Sequence, residues 1–175
     1  MARKGLAVPP TAYQRAIGRL SRRDHSESEL RRALLERGHE PGEVEAALGR
    51  LRSERYLDDG GFAERYARSR LASHGLGRLR VRGGLDRRGV ERGAAEAGLR
   101  AALEDVSEPD VLDAQARRYW RQHGRDEPAR RLRKLWAFLL RRGFPAPLVE
   151  ERLRALWPRW SDALVGLEPP GEDEA

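Results

Sequence analysis

Residues 34–48 are LLERGHEPGEVEAAL, and the pattern of this stretch returns twice further along the chain. A leucine is followed by a glycine four residues later, and apolar residues stand ten and fourteen residues after the leucine. The same positions recur in residues 85–99, LDRRGVERGAAEAGL, and in residues 139–153, LLRRGFPAPLVEERL. A glycine after an apolar helical stripe is typical of a helix C-cap. The recurrence predicts a tandem array of three helical modules, each of about fifty residues.

The first module has the periodicity of three amphipathic helices. The first helix carries apolar residues at i, i+3, i+4 and i+7, on one face, namely Tyr13, Ala16, Ile17 and Leu20. Ser26 or Ser28 can cap a second helix, whose apolar stripe is Leu30, Leu34 and Leu35. Pro41 suits the first turn of a third helix, with Val44, Leu48 and Leu51 on its inner face.

Strands have little support, because no run alternates apolar and polar residues with β-branched enrichment. We therefore predict an all-α protein of three tandem three-helix modules in an elongated, curved array. The predicted boundaries are a flexible N-terminus over 1–10, modules over 11–57, 58–106 and 107–165, and a disordered acidic tail over 166–175.

The stretch YLDDGGFAERYARSR, residues 56–70, lies where the first two modules meet. We expect Asp58 and Asp59 to cap the first helix of the second module, since a carboxylate there accepts hydrogen bonds from the free N–H groups of the first turn. Phe62 and Tyr66 are four residues apart and should pack inward together. The pair Gly60–Gly61 weakens the first turn and leaves the modules free to bend. Adjacent carboxylates do not converge as an acid–base pair must, and the alternating acids of a calcium loop are missing.

The charge of the chain is concentrated in one window. The net charge is +7 and the pI about 10.6, which favours an anionic partner. Between residues 65 and 88 there are eight arginines against one acid, Asp86, so this window alone accounts for the net charge. The arginines are Arg65, Arg68, Arg70, Arg78, Arg80, Arg82, Arg87 and Arg88. Arginine in place of lysine also follows from a GC-rich genome, which does not explain where the charge lies.

The sequence offers no catalytic or metal-binding motif. Cysteine is absent, the four histidines lack HExxH spacing, and neither lysine follows a phosphate-binding glycine loop. No serine lies in G-x-S-x-G. We predict a protein that is not an enzyme and needs no cofactor or metal. Without an apolar run of membrane-spanning length, we expect a cytoplasmic protein with no membrane partner.

The stretch LDDGGFAERYARSRLASHGLGRLRVRGGLDRRGV, residues 57–90, resembles the signature of the RecX family. Residues 29–59 resemble the first module of that family, and the likeness covers about residues 13–160. The positions that carry it include Asp58, Asp59, Phe62, Tyr66, Gly77 and Gly89. The chain departs from the family at Gly83–Gly84, where helix-forming polar residues are usual. Each glycine costs about 1 kcal/mol inside a helix, so we expect this helix to be frayed or bent.

The resemblance implies a regulator of the recombinase RecA in DNA repair, recombination and the SOS response. Members bind the helical groove of the RecA–single-stranded DNA filament and restrain ATP hydrolysis, filament extension and strand exchange. They are monomers. On this interpretation the eight window arginines contact the filament, through RecA or through DNA. The alternative is a general helical module that binds the phosphate backbone of single- or double-stranded DNA.

Overall fold

The computed structural model describes residues 9–159, and over that range it contains helices and no strand. The helices are α1 (Ala12–Leu20), α2 (Glu27–Leu35), α3 (Pro41–Ser53), α4 (Asp59–Ala72), α5 (Arg78–Asp86), α6 (Arg92–Asp105), α7 (Glu108–Gln122), α8 (Pro128–Arg141) and α9 (Ala146–Leu156). The all-α prediction is confirmed. Among these helices, none combines the length and the apolarity needed to cross a bilayer. Most of the predicted flexible N-terminus, the end of the third module and the acidic tail lie outside the described residues.

Each set of three consecutive helices buries its own apolar core, which confirms the tandem arrangement. In the first module the fully buried side chains include Leu30, Leu48 and Leu51. The third module is centred on Trp136 and Phe144. The second module has two smaller clusters, one around Phe62 and Leu85 and one around Leu71 and Val81. No buried cluster of the described residues mixes side chains of two modules, so the modules are separate packing units.

One residue predicted for the core of the first module is on the surface. Leu35 is 42% exposed, whereas Leu30 and Leu34 are fully buried. Residues 30 and 34 are four apart and share one face of α2, but residue 35 is rotated by a further 100° from that face. The placement of Leu35 in the apolar stripe was therefore wrong.

The ends of the second helix in each module follow the sequence pattern closely. Ser26 is the N-cap of α2, and its hydroxyl accepts the backbone N–H of Glu29 at 3.1 Å. Gly38, Gly89 and Gly143 follow the C-termini of α2, α5 and α8 with φ of 82°, 67° and 85°. These positive angles favour glycine, which has no Cβ to clash. The next residue in each case donates its N–H back to the helix, as in Val90 to the Leu85 carbonyl at 3.2 Å.

The second helices of consecutive modules meet end to end. The hydroxyl of Ser26, at the start of α2, donates to the Arg88 carbonyl, just after the C-terminus of α5, at 2.6 Å. One module further on, the Gly77 N–H at the start of α5 donates to the Arg142 carbonyl after α8 at 2.8 Å. The positive end of one helix therefore faces the negative end of the next, which is a favourable dipole arrangement.

A carboxylate from each later module completes the same joint. Asp59, the first residue of α4, accepts the N–H of Glu27, the first residue of α2, at 2.8 Å. Glu108, the first residue of α7, accepts the N–H of Arg78, the first residue of α5, at 2.7 Å. Burial raises the pKa of both carboxyl groups. The prediction that Asp59 caps α4 thus needs correction, because its side chain satisfies the first amide of α2 in the preceding module.

The fraying expected at Gly83–Gly84 does not occur, since α5 is helical through both glycines. A Cβ at Gly84 would lie 2.3 Å from the hydroxyl oxygen of Tyr66. Gly84 is therefore required for the close packing of Tyr66 on α5. At Gly83 a Cβ would meet only the end of the Arg87 side chain, at 3.5 Å.

Candidate anion-binding surface

The eight window arginines lie on α4, on α5 and in the turn after α5, and five of them pair with carboxylates of the chain. The pairs are Arg65–Asp24 (2.7 Å), Arg68–Glu64 (2.9 Å), Arg68–Asp105 (2.5 Å), Arg78–Glu108 (3.6 Å), Arg82–Glu96 (3.8 Å) and Arg88–Glu29 (3.7 Å). Two of these acids belong to the first module and one to the third, so the linear charge count of the window could not include them.

The other three arginines of the window have no carboxylate partner among residues 9–159. Arg80 donates to the Arg141 carbonyl at 2.9 Å and so forms part of the joint to the third module. The guanidinium of Arg70 lies over the Tyr66 ring, 5.1 Å from its centroid. Arg87 is exposed and makes no ion pair in the described part of the chain.

Most of these ion pairs leave the guanidinium available to a partner. The paired side chains of Arg65, Arg68, Arg78 and Arg82 are all about half exposed, and only Arg88 is less so. An exposed ion pair contributes about 0–1 kcal/mol, so an incoming anion can replace the internal carboxylate at little cost. The window can therefore present cations, although its local net charge is lower than the sequence suggests.

The residues predicted as a structural motif lie in the second module, at the start of α4 and at the two joints to the neighbouring modules. Asp58 is the N-cap of α4 and accepts the Gly61 N–H at 3.1 Å. Phe62 is 4% exposed and stacks on Tyr66 with 6.1 Å between ring centroids. Tyr66 is only half-buried, because its other neighbours are cations: the Arg88 guanidinium lies 4.6 Å from its ring and donates to its hydroxyl at 3.2 Å. Gly77 and Gly89 lie at the two joints.

A second cationic surface lies in the first module, outside the window. A groove of about 550 Å³ runs between α1 and the end of α2. We call it the module-one groove; its residues are Pro10, Gln14, Arg15, Gly18, Arg19, Arg22, Arg23, His25, Ala33, Leu34 and Arg37. None of these residues is acidic. Burial lowers the pKa of His25, whose Nδ1 lies 2.9 Å from the Arg23 carbonyl oxygen, so the imidazole is neutral at pH 7.

Four of the five arginines of the module-one groove make no ion pair within residues 9–159, and Arg23 is the exception. Arg23 lies 3.5 Å from Glu29. Within residues 9–159, the side chains of Arg15, Arg19, Arg22 and Arg37 make no ion pair, and the buried Nε of Arg15 has no hydrogen-bond partner. The sequence did carry a signal for this groove, since Arg15, Arg19 and Arg22 follow i, i+4, i+7 spacing. In the linear charge count these arginines are offset by the acids that follow them, Asp24, Glu27 and Glu29.

The described residues show no grouping of metal ligands. In the range 9–159, no three His, Asp or Glu side chains lie close enough to hold a metal ion. The chemistry of the described surface is therefore that of guanidinium groups: charge-assisted hydrogen bonds to carboxylate or phosphate oxygens.

Three family models match this chain, one for each module. They are described as RecX, first three-helix domain, over residues 12–51, RecX, second three-helix domain, over 58–99, and RecX, third three-helix domain, over 107–157. The protein named regulatory protein RecX of Xanthomonas axonopodis pv. citri is 42% identical over 134 residues, which cover 77% of this chain and 80% of that protein. The protein of the same name from Halorhodospira halophila is 40% identical over 136 residues, covering 77% of this chain and 81% of that protein.

Two solved structures share the fold. The crystal structure of RecX from Lactobacillus salivarius superposes with a TM-score of 0.74 over 83% of this chain and 94% of that one, at 18% identity. A crystal structure of regulatory protein RecX superposes with a TM-score of 0.70 over 86% of this chain and 70% of that one, at 22% identity. Three tandem three-helix modules with exposed arginines place the protein in the class of all-α tandem helical arrays. By its family models and its curated relatives, the chain belongs to the RecX family.

Proposed function

We propose that this protein binds the RecA–single-stranded DNA filament in its helical groove and thereby restrains ATP hydrolysis, filament extension and strand exchange. The observation that carries the proposal is that all three modules match the three domains of the RecX family. In this role the protein is a cytoplasmic monomer that catalyses no reaction of its own. It acts by occupying the filament.

The joints between modules support binding along an extended partner. The second helices lie end to end, and residues 77–88 span one module along that line. At 1.5 Å per helical residue, each module adds about 17 Å along the line of the second helices. A helix-end hydrogen bond and a carboxylate contact occur at both joints, so the modules are joined in a similar way each time. Regular spacing suits a helical filament, whose subunits also repeat at a regular interval.

The decisive experiment is a titration of the protein into RecA on single-stranded DNA, with ATP turnover and filament length measured together. We expect both to fall as the protein is added. RecA activity and filament length that stay unchanged at saturating protein would contradict the proposed function.

The window arginines are tested by a triple charge reversal, Arg68→Glu, Arg82→Glu and Arg87→Glu. None of the three contributes a joint hydrogen bond, so the variant should stay helical by circular dichroism while losing inhibition of the RecA ATPase. The matched control reverses three exposed arginines outside the window, Arg32, Arg117 and Arg121. Undiminished inhibition by the window variant, or equal loss in the control, would remove the window from the mechanism.

A second candidate function is binding to the phosphate backbone of naked DNA. The observation that favours it is the number of arginines without internal partners within residues 9–159, in the module-one groove and at Arg87. This function predicts binding without RecA and an affinity that falls steeply with salt. Tight binding to filaments together with weak binding to naked DNA favours the filament regulator.

A further inference from the structure

We propose that the module-one groove is a phosphate-binding site that holds the backbone of a single nucleic-acid strand. The inference rests on the proposed function only in taking the strand as the source of the phosphate. It assigns a contact in the first module, well separated along the chain from the window of the second module.

The residues that line the groove differ from those at the equivalent positions of the other modules. Shifting by 51 residues aligns Ala12, Ala16 and Leu20 of α1 with the apolar residues Ala63, Ala67 and Leu71 of α4. The same shift places Arg15 where the second module has Tyr66, Arg19 over Arg70, and Arg37 over Arg88.

In the second module the aromatic ring satisfies the cations. The guanidinium groups of Arg70 and Arg88 both lie against the Tyr66 ring, and Arg88 also bonds its hydroxyl. The third module has aromatic rings in this region, where Tyr119 packs against Phe138 with 4.8 Å between ring centroids and the Arg142 guanidinium lies 5.2 Å from the Phe138 ring. In the first module an arginine replaces the tyrosine, so the ring is lost and a further cation is added.

The resulting cluster is electrostatically unfavourable without an anion. Five guanidinium groups line one groove, and within residues 9–159 Arg23 alone among them pairs with a carboxylate, that of Glu29 at 3.5 Å. Like charges that line one groove repel one another, and the buried Nε of Arg15 adds an unsatisfied donor. An anion with several acceptor oxygens, placed in the groove, removes both costs.

The number of acceptors favours phosphate over a carboxylate of an acidic protein. A carboxylate has two oxygens and is satisfied by one bidentate arginine, as Asp113 is by Arg152. A phosphodiester presents two anionic oxygens and two ester oxygens, and its neighbours along a strand supply further charges. The groove, at about 550 Å³, is large enough for more than one phosphate and is open at the surface. A strand therefore matches both its charge and its size.

The test is fluorescence anisotropy with a labelled single-stranded oligonucleotide, in the absence of RecA, at several salt concentrations. The double variant Arg15→Gln, Arg19→Gln removes two groove charges and keeps helix-forming side chains. We expect about tenfold weaker binding, with a salt slope reduced by about 1.4, since each single-strand phosphate contact contributes about 0.7. The matched control, Arg32→Gln with Arg55→Gln, removes two exposed charges of the same module that do not line the groove. We expect that control to bind as the unchanged protein does.

Three results would overturn the proposal. Equal weakening in the control would mean that only net charge matters. Displacement of the oligonucleotide by inorganic phosphate at the same phosphate concentration would make the groove a site for free phosphate. Displacement by polyglutamate as effectively as by unlabelled DNA would make it a site for acidic protein.

Two further measurements separate this inference from misfolding and from the proposed function. The double variant should melt at the same temperature as the unchanged protein or higher, because it loses like-charge repulsion; a lower melting temperature would indicate a structural role. Since the assay contains no RecA, a failed groove test leaves the filament proposal standing. Conversely, strand binding through the groove without inhibition of the RecA ATPase would contradict the filament proposal alone.

Discussion

Two separate constraints act on Gly89. Its φ of 67° is in the left-handed region, and a Cβ there would lie 2.3 Å from Ser28 Oγ in the preceding module. Gly38 holds the equivalent position in the first module with φ of 82°, but a Cβ there would meet nothing within 4 Å. Substitution at Gly38 therefore tests backbone strain alone, whereas substitution at Gly89 tests backbone strain together with the close approach of two modules.

We predict that Gly89→Ala lowers the free energy of unfolding by about 2–3 kcal/mol, the sum of left-handed strain and overpacking against Ser28. The control Gly38→Ala should cost only about 1 kcal/mol, since it carries the strain without the contact. Urea denaturation followed by circular dichroism measures both. Equal losses in the two variants would show that the joint at Gly89 is looser than the structure describes.

At the scale of one element, α5 contains glycines that destabilise a helix, and one of them is required for close packing. Two adjacent glycines lie in its interior, and only Gly84 faces another helix closely, through the hydroxyl and ring of Tyr66. Gly83 faces open space apart from the end of Arg87. The cost of Gly84 is offset by the contact it permits, whereas no contact in the structure accounts for Gly83.

We predict that Gly83→Ala raises the free energy of unfolding by about 0.5–1 kcal/mol, the difference in helix propensity. Gly84→Ala should lower it by about 1–3 kcal/mol, because a Cβ 2.3 Å from the Tyr66 hydroxyl forces the ring to move. Combining Gly84→Ala with Tyr66→Phe removes that hydroxyl and should recover part of the loss. Additive effects in a double-mutant cycle would show that the two residues do not interact.

At the scale of the whole molecule, the joints determine how the three modules are arranged. Each joint combines a helix-end contact with a carboxylate from the later module, Asp59 or Glu108. No apolar cluster of the described residues crosses a joint. The arrangement of the modules therefore depends on a few polar contacts, and it is more sensitive to protonation than the cores are.

The pKa of Glu108 is raised by burial, so the folded protein holds this proton more tightly than the unfolded chain does. The free energy of unfolding must therefore fall as pH rises from the ordinary carboxyl range through the raised pKa. Glu108→Gln keeps an oxygen for the Arg78 N–H without the buried charge. We expect it to be as stable as the unchanged protein or more stable at pH 7, with a flatter pH profile.

The control for this prediction is Glu108→Ala, which leaves the Arg78 N–H without its acceptor and should cost about 1–2 kcal/mol. Thermal melting between about pH 4 and pH 7 compares the three proteins over the range in which a raised carboxyl pKa lies. A Glu108→Gln protein that is as unstable as Glu108→Ala would show that the negative charge itself holds the joint.

The sequence by itself determined the helices, their caps and the repetition of modules. As helix caps, Ser26, Gly38, Gly89 and Gly143 act through residues near them in the chain, so these capping roles are readable from local order. The contacts of Ser26 with Arg88 and of Gly89 with Ser28 are between modules and are not readable in this way. The family resemblance at residues 57–90 follows from the same local pattern, and the family models confirm it.

The tertiary structure alone decided which charges are paired and which are free. Asp24, Glu29 and Glu108 reach arginines of the second module from other modules, 20 or more residues away in the chain, so the window is less positive than its sequence. Asp59 likewise accepts a hydrogen bond from the first residue of α2 because folding brings it next to a helix of the preceding module. Arg15, Arg19 and Arg37 lie together without acids because α1 packs beside the end of α2. Electrostatic interactions depend on distance in space, and folding brings together charges that the sequence holds far apart.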